Sequence, residues 1–385
     1  MKSHNPFLIA IRQFLKYFTP LLPLQNKVIF DNFGGRGLGD NPKYIALALH
    51  KLSPKTQLFW IIDKRMVDKI DMPSYIKPLF VNSAFFYYHL GTARAWVSNF
   101  RDPYFQARKK RSGQFYLQTW HGSGPGKKIE KDAESSLDPN YIKLAKKDSE
   151  ITDLALAGSH LLERIFKESF WYNGNIICCE QPRNDILSNK HIQMNIKKQL
   201  GIGDCNLCLY APTFRKDGNL DVYNVDYSLL KSSLESRFKG KWVIAIRLHP
   251  NLADKTSALK LPSSIIDLTL YPDIQELLAA TDVLITDFSS CMHDFSTTTK
   301  RPVFLFAPDY DDYLKGEREM YLNPKSFPFP LATSNKSLAK QISSFDNKKY
   351  QKDLDVFIEN SGIFLGTEGA QKAAKILCEQ LKKNK

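Results

Sequence analysis

Two histidines stand where apolar runs give way to polar loops. His121 follows "FYLQTW" and opens the stretch "HGSGPGKKIEKD", while His249 closes "KWVIAIRLHP". A histidine titrates near neutrality, so one held at a strand end beside a glycine loop suits general-base work. Arg247 lies two residues before His249, on the same face of an extended chain, and a cation beside an imidazole suits a phosphate. In "LITDFSSCMHDF", Asp287, Ser289 and Ser290 fall at a strand-to-helix turn, where free backbone N–H groups and the helix dipole favour an anion. "APTFR" places Thr213 and Arg215 at another strand end, and Arg183 sits in "PRND". The loop "GGRGLGDNPKY" carries Gly35 and Gly37, which permit tight turns and close approach of a ligand to the backbone. Lys127 and Lys128 follow Trp120 and His121 and add positive charge. A lone histidine on a surface is ordinary, but five strand ends that all carry His, Arg, Ser or Thr form a pattern.

Elements that could position these groups alternate along the chain. Strand candidates are 27–33, 57–63, 95–100, 115–120 and 154–159, the run 175–185 ends this half, and 206–214, 241–250, 265–270, 282–290 and 302–308 follow. Helical patterns separate them, among them 41–52 with Pro42 near its start. Short β-rich runs between helices predict an α/β fold with parallel sheets, in which ligands bind at the carboxyl ends of strands. Two such series predict two Rossmann-like doubly wound domains facing a cleft. The boundaries are 27–188 for an N-terminal domain and 189–385 for a C-terminal one, with the basic tail helix assigned to the latter.

The 385 residues are 43% hydrophobic and 12% aromatic, enough for two ordinary cores and too apolar for disorder. A formal charge of +14 favours anionic partners. No helix-turn-helix, zinc-finger or RNA-binding signature accompanies it, so nucleic acid is not an expected partner. The six cysteines read as reduced thiols, Cys205-x-x-Cys208 included. "DYDDY" reads as a solvated acidic loop, and no metal site is expected. Residues 1–26 are basic, with Phe7, Leu8, Ile11, Phe14, Leu15 and Phe18 at helical spacing. The run is too short and broken to span a bilayer, and its pattern fits a membrane-associating amphipathic helix.

"FGGRGLGDNPKYI", "QTWHGSGPGKKIEKD", "PRNDIL", "YAPTFR", "IRLHPN" and "TDFSSCMHDF" occur in this order. Together they resemble the CDP-glycerol glycerophosphotransferase family, over roughly residues 27–380. The resemblance implies a GT-B-type fold, with a C-terminal donor domain and an N-terminal acceptor domain. It implies transfer of glycerol phosphate from CDP-glycerol to a lipid-linked or polymer acceptor, with release of CMP, in teichoic acid or capsule synthesis. The setting would be the anionic cytoplasmic face of a bacterial membrane. His121 and His249 match the family's essential histidines, and Ser289 and Ser290 match its diphosphate-binding serines. Arg247, Asp287, Thr213, Arg215 and Arg183 would serve the donor phosphates. Gly35, Gly37, Trp120, Lys127 and Lys128 would face the acceptor. If these groups neutralise the diphosphate, no cofactor or divalent metal is required. Glu180 and Gln181 depart from the Gly-Tyr or Gly-Phe usual before "PRND", and Gly-Ser-Gly-Pro replaces Gly-Thr-Pro after the first histidine. A CDP-ribitol transferase, a nucleotide-sugar glycosyltransferase and a non-catalytic polyanion-binding protein are the alternatives.

Overall fold

Runs of Val, Ile, Leu and aromatic residues, bounded by Gly, Pro and Asn, form short strands buried on both faces. That burial is what a parallel sheet covered by helices demands. The structure is a computed structural model. It describes residues 6–383 other than 82, 84, 108, 109, 123, 125, 216, 217, 250, 251, 253–258, 260, 317 and 318. The chain divides into two compact units. The first comprises Met1–His121, Ile129–Asp185 and Gly366–Lys385, and the second Gly122–Lys128 and Ile186–Leu365.

In the first unit the strands are β1 (Gln25–Asp31), β2 (Gln57–Ile61), β3 (Ile76–Leu79), β4 (Ala93–Ser98), β5 (Phe115–Gln118), β6 (Leu154–Ala157) and β7 (Asn175–Cys178). They pair in the order β3-β2-β1-β4-β5-β6-β7, every pairing parallel. The second unit holds β8 (Asn206–Tyr210), β9 (Trp242–Ile246), β10 (Ile265–Asp267), β11 (Val283–Thr286), β12 (Val303–Phe306) and β13 (Leu331–Ala332). Their order is β10-β9-β8-β11-β12-β13, again all parallel. Both sheets are therefore Rossmann-like, as the alternation predicts. In each, the strand order reverses beside the first strand of that unit, the place where ligands bind in such sheets.

The observed strands stop short of the apolar runs. β1 ends at Asp31, β5 at Gln118, β9 at Ile246 and β11 at Thr286. Each polar tail is thus a loop at a carboxyl end. Two strands escape the periodicity: β3 carries Lys77 and Pro78 at a sheet edge, and β13 has two residues.

The tail corrects the expected domain boundary. The helix Gly369–Lys382 packs on the helix Asp40–Leu52 of the first unit. Ala373, Ala374, Leu377 and Leu381 join the core of Ile45, Ala46 and Leu49. Burying Leu377 completely contributes about 2 kcal/mol. Asp185 accepts from the Gly369 and Ala370 N–H groups at 3.1 and 2.9 Å, and Glu180 pairs with Lys372 at 2.7 Å. Glu180 thereby holds the start of the tail helix. A side chain at Gly369 would run into the Glu180 carbonyl. The apolar spacing at 7–18 does form a helix, Pro6–Phe18.

Candidate active site

At the carboxyl end of the first sheet, three successive loops meet around His121. Its Nδ1 lies 2.6 Å from the Asn99 carbonyl, which only accepts, so Nδ1 carries the proton and Nε2 is left with a free lone pair. The ring stacks on Trp120 at 4.2 Å and meets Phe33 at 5.0 Å. Burial holds the imidazole below the ordinary histidine range, which outweighs the opposing pull of the Asn99 carbonyl and of Asp40. A neutral base with a fixed tautomer is what proton abstraction at neutral pH needs.

Asn99 and Asn32 tie this histidine to the glycine loop. Asn99 Nδ2 donates to Asn32 Oδ1 at 2.8 Å, Asn32 Nδ2 donates to the Gly37 carbonyl, and Asn99 Oδ1 accepts from Phe33 N. Gly35 has φ +79°, and an added Cβ would stand 3.0–3.1 Å from the backbone of Ile62 and Asp63, so a side chain there is disfavoured on both counts. Phe33, Asp40 and Trp120 are non-glycine residues in the left-handed region, at φ +49°, +55° and +50°. Such conformations cost about 1–3 kcal/mol each and gather at functional sites. Arg183 is buried and pairs with Asp40 at 2.8 Å, while its N–H donates to Asn41 Oδ1. Gly35, Gly37, Trp120, His121 and Arg183 are therefore brought together.

Beneath the glycine loop lie two wholly buried carboxyl groups. Asp31 accepts from the Gly35 N–H at 2.8 Å, and its carboxyl group interacts with that of Asp102. The second oxygen of each lacks a donor among the described residues, a need that one proton shared between them would meet. Burial pushes Asp31 up to about 7, and burial with the Asp31 charge pushes Asp102 well above the carboxylate range. A folded pKa above the unfolded value means that the native state binds more protons. Stability from this pair is therefore greatest in acid and is lost as pH rises through about 7. Asp31→Asn keeps an acceptor for Gly35 and replaces the shared proton by a permanent N–H. Denaturant titrations should show the variant on the order of 2 kcal/mol more stable than the parent at pH 8.5, with the gap closing towards pH 5. A gap that is the same at both pH values would exclude a shared proton.

In the second unit the strand ends gather differently. Asp287 accepts from Thr213 N and Oγ1 at 2.8 and 2.9 Å and pairs with Arg215 at 2.8 Å. Arg215 also donates to both oxygens of Asp309, at 2.6 and 3.0 Å, and through Nη1 to Thr213 O and Oγ1. All five guanidinium N–H groups are thus engaged. Arg215 and Asp287, read from the sequence as phosphate contacts, brace one another with Thr213 in this structure. Asp309 is drawn into a half-buried ion pair with Arg215, while Asp311 and Asp312 of the same acidic run stay exposed. Tyr313 lies under Arg215 at 4.5 Å, and Lys127 covers the same ring at 4.7 Å.

Lys127 and Lys128 group with the second unit rather than with the N-terminal domain. Lys127 bridges to Met320, and Lys128 pairs with Glu319. In this segment Gly124 rests on His293, whose ring would stand 2.3 Å from an added Cβ. Ser289 and Ser290 open the helix Cys291–Thr299; Ser289 Oγ accepts weakly from Cys291 N at 3.4 Å, and Ser290 caps nothing with its side chain. Arg247 is half-buried after β9, donating to the Tyr271 carbonyl at 3.2 Å, with a buried Nε that has no partner among the described residues. His249 is exposed and lies 5.9 Å from the Phe214 ring. Arg247, His249, Ser289 and Ser290 all follow the carboxyl ends of β9 and β11.

Sequence reasoning missed Asn32, Asn41, Asn99, Gln181 and the Asp31–Asp102 pair. A signal existed for two of them: β1 and its neighbour β4 are both followed by Asn-Phe, and those asparagines bond to each other. Among the described residues, no group of three or more His, Cys, Asp or Glu is placed to hold a metal. The six cysteines are free thiols.

Comparison with known proteins follows the same lines. Residues 13–372 match the model of the CDP-glycerol:poly(glycerophosphate) glycerophosphotransferases. The chain is 31% identical over 349 residues to a teichoic acid poly(glycerol phosphate) polymerase of Staphylococcus epidermidis, covering 86% of this chain and 47% of that protein. It thus spans about half the length of that relative. A polymerase of the same description from Bacillus spizizenii is 28% identical over 99% of this chain and 98% of its own. A solved variant of the wall teichoic acid polymerase TagF superposes with a TM-score of 0.84 at 28% identity, over 98% of this chain and 94% of that one.

Proposed function

Since the chain belongs to the CDP-glycerol:poly(glycerophosphate) glycerophosphotransferase family, we propose that it transfers glycerol phosphate from CDP-glycerol to an acceptor hydroxyl in teichoic acid synthesis. The observation that carries this reading is His121, a neutral imidazole with Nδ1 protonated and Nε2 available at the carboxyl end of a parallel sheet. The acceptor oxygen attacks the phosphorus that bears glycerol. Its proton passes to Nε2 of His121, the bond from that phosphorus to the bridging oxygen breaks, and CMP departs with the electron pair. A phosphodiester remains. Arg247, His249, Ser289 and Ser290, with the N–H groups opening the helix Cys291–Thr299, stabilise charge on the diphosphate. Arg215, Asp287 and Thr213 hold the loops that carry them. The two-unit architecture is read as the GT-B type, the first unit serving the acceptor and the second the donor.

The test is CMP release from CDP-glycerol, with and without a lipid-linked acceptor. The wild-type chain should release CMP only with acceptor, and His249→Ala should raise the KM for CDP-glycerol and lower kcat. No CMP under any condition would sink the reading.

The acceptor is read as lipid-linked, and the protein as peripheral on an anionic membrane. Among the described residues no helix is long and apolar enough to cross a bilayer. Phe14, Tyr17 and Phe18 on the first helix are exposed, as are Leu21 and Phe85. These aromatics, with the net positive charge, fit a headgroup surface, where each basic residue contributes about 1 kcal/mol. Replacing Phe14, Tyr17 and Leu21 together by Glu should abolish sedimentation with anionic vesicles and spare turnover of a soluble acceptor. Unchanged sedimentation would remove the first helix from the argument.

A further inference from the structure

His121 depends on a residue that touches neither its ring nor the reacting atoms. The peptide joining Trp120 to His121 leaves a bulky aromatic at φ +50°. Its carbonyl accepts from Asn41 Nδ2 at 3.1 Å. The other N–H of the same amide donates to Gln181 Oε1 at 2.6 Å, and Asn41 Oδ1 accepts from Arg183 N at 3.1 Å. Asn41 is wholly buried in the first turn of the helix Asp40–Leu52, and Gln181 is buried beside it. One carboxamide therefore joins the helix start, the loop after β7 and the loop that carries His121. Trp120 N is held separately by Gln118 Oε1 at 2.9 Å, so the left-handed residue is gripped on both sides.

We propose that Asn41 is a positioning residue for His121: by gripping the Trp120 carbonyl it keeps that residue left-handed and turns the imidazole onto the Asn99 carbonyl. The proposal rests on His121 being the base of the reaction above. Asn41→Asp separates the bonds. Its carboxylate still accepts from Arg183 N, and the Gln181 amide can turn over and donate its otherwise unpartnered Nε2–H. The Trp120 carbonyl loses the Asn41 N–H and is left with the Thr119 hydroxyl at 3.1 Å, and the Thr119 carbonyl loses a weak contact at 3.5 Å. Gln181→Met does the reverse: it removes the Gln181 bond and leaves the grip on Trp120.

Two measurements on the full chain test this. In CMP-release kinetics, Asn41→Asp should lower kcat about 10²-fold with the KM for CDP-glycerol changed less than about twofold, and Gln181→Met should keep kcat within about threefold. In nitrogen-15 spectra of histidine-labelled protein, with His121 assigned through His121→Asn, the Nδ1–H signal should shift or vanish in Asn41→Asp and persist in Gln181→Met. An unchanged His121 signal in Asn41→Asp, or equal kcat losses in both variants, would overturn the proposal. If Asn41→Asp does not fold, Asn41→Ser takes its place with the same two readouts. Failure of the wild-type chain to release CMP would count against the reaction instead, and the spectrum would still decide whether Asn41 orients His121.

Discussion

His121→Asn is expected to lower kcat for CMP release by about 10²–10⁴-fold, the usual contribution of a general base. Asparagine suits this test because its Nδ2 can still donate to the Asn99 carbonyl that now receives Nδ1–H. The local bond persists and only Nε2 disappears. Stability should stay close to the parent, and the KM for CDP-glycerol should move little, since the lost contact belongs to the transition state. The pH profile adds an independent check. A base works when unprotonated, that is above its pKa. Burial holds His121 below the ordinary 6.5, so the acid limb of kcat/KM should have its midpoint below that value. A His121→Asn variant that keeps kcat within about threefold of the parent would remove His121 from the chemistry.

The second large effect concerns stability. Arg215→Met should cost about 3–5 kcal/mol in the second unit, because it strands two carboxylates that the guanidinium now neutralises. Asp287 is 2% exposed, and both Asp287 and Asp309 lie against the lost cation. For a unit of this size the melting transition should fall by roughly 10 °C. Asp309→Asn, added to Arg215→Met, should recover part of the loss, since it removes one stranded charge. A variant with unchanged melting but weakened CDP-glycerol binding would restore the phosphate-binding role that the sequence suggests for Arg215.

Much of this was legible in the residues. Alternating apolar runs gave two parallel sheets, and the polar groups at their ends proved to be loop residues at carboxyl ends, because β5 and β9 stop before His121 and His249. What was not legible follows from how side chains choose partners. Arg215 and Arg247 look alike as strand-end cations, yet one spends every N–H on Asp287, Asp309 and Thr213 while the other keeps a buried Nε without a partner among the described residues. Partner choice over 94 residues of sequence leaves no local trace. The asparagines are similar: Asn41 reads as an unremarkable helix-start residue until Trp120 and Gln181 are brought to it. The tail helix has an amphipathic face that would suit either unit, and it is the packing of Leu377 and Leu381 with Ile45 and Leu49, with Glu180 and Asp185 on its first turn, that selects the first.

That tail has a consequence in time. Chains emerge from the ribosome N-terminus first, at roughly 5–20 residues per second. The first unit's core waits for Ala373, Leu377 and Leu381, which are made only after every strand of the second unit has been synthesised. Until then the helix Asp40–Leu52 presents Ile45 and Leu49 without their final cover. The nascent first unit must therefore wait about ten seconds or more in an incomplete, sticky form, a natural client for chaperones. The second unit, whose residues lie within Ile186–Leu365 and the short segment Gly122–Lys128, can close first although its synthesis is begun second.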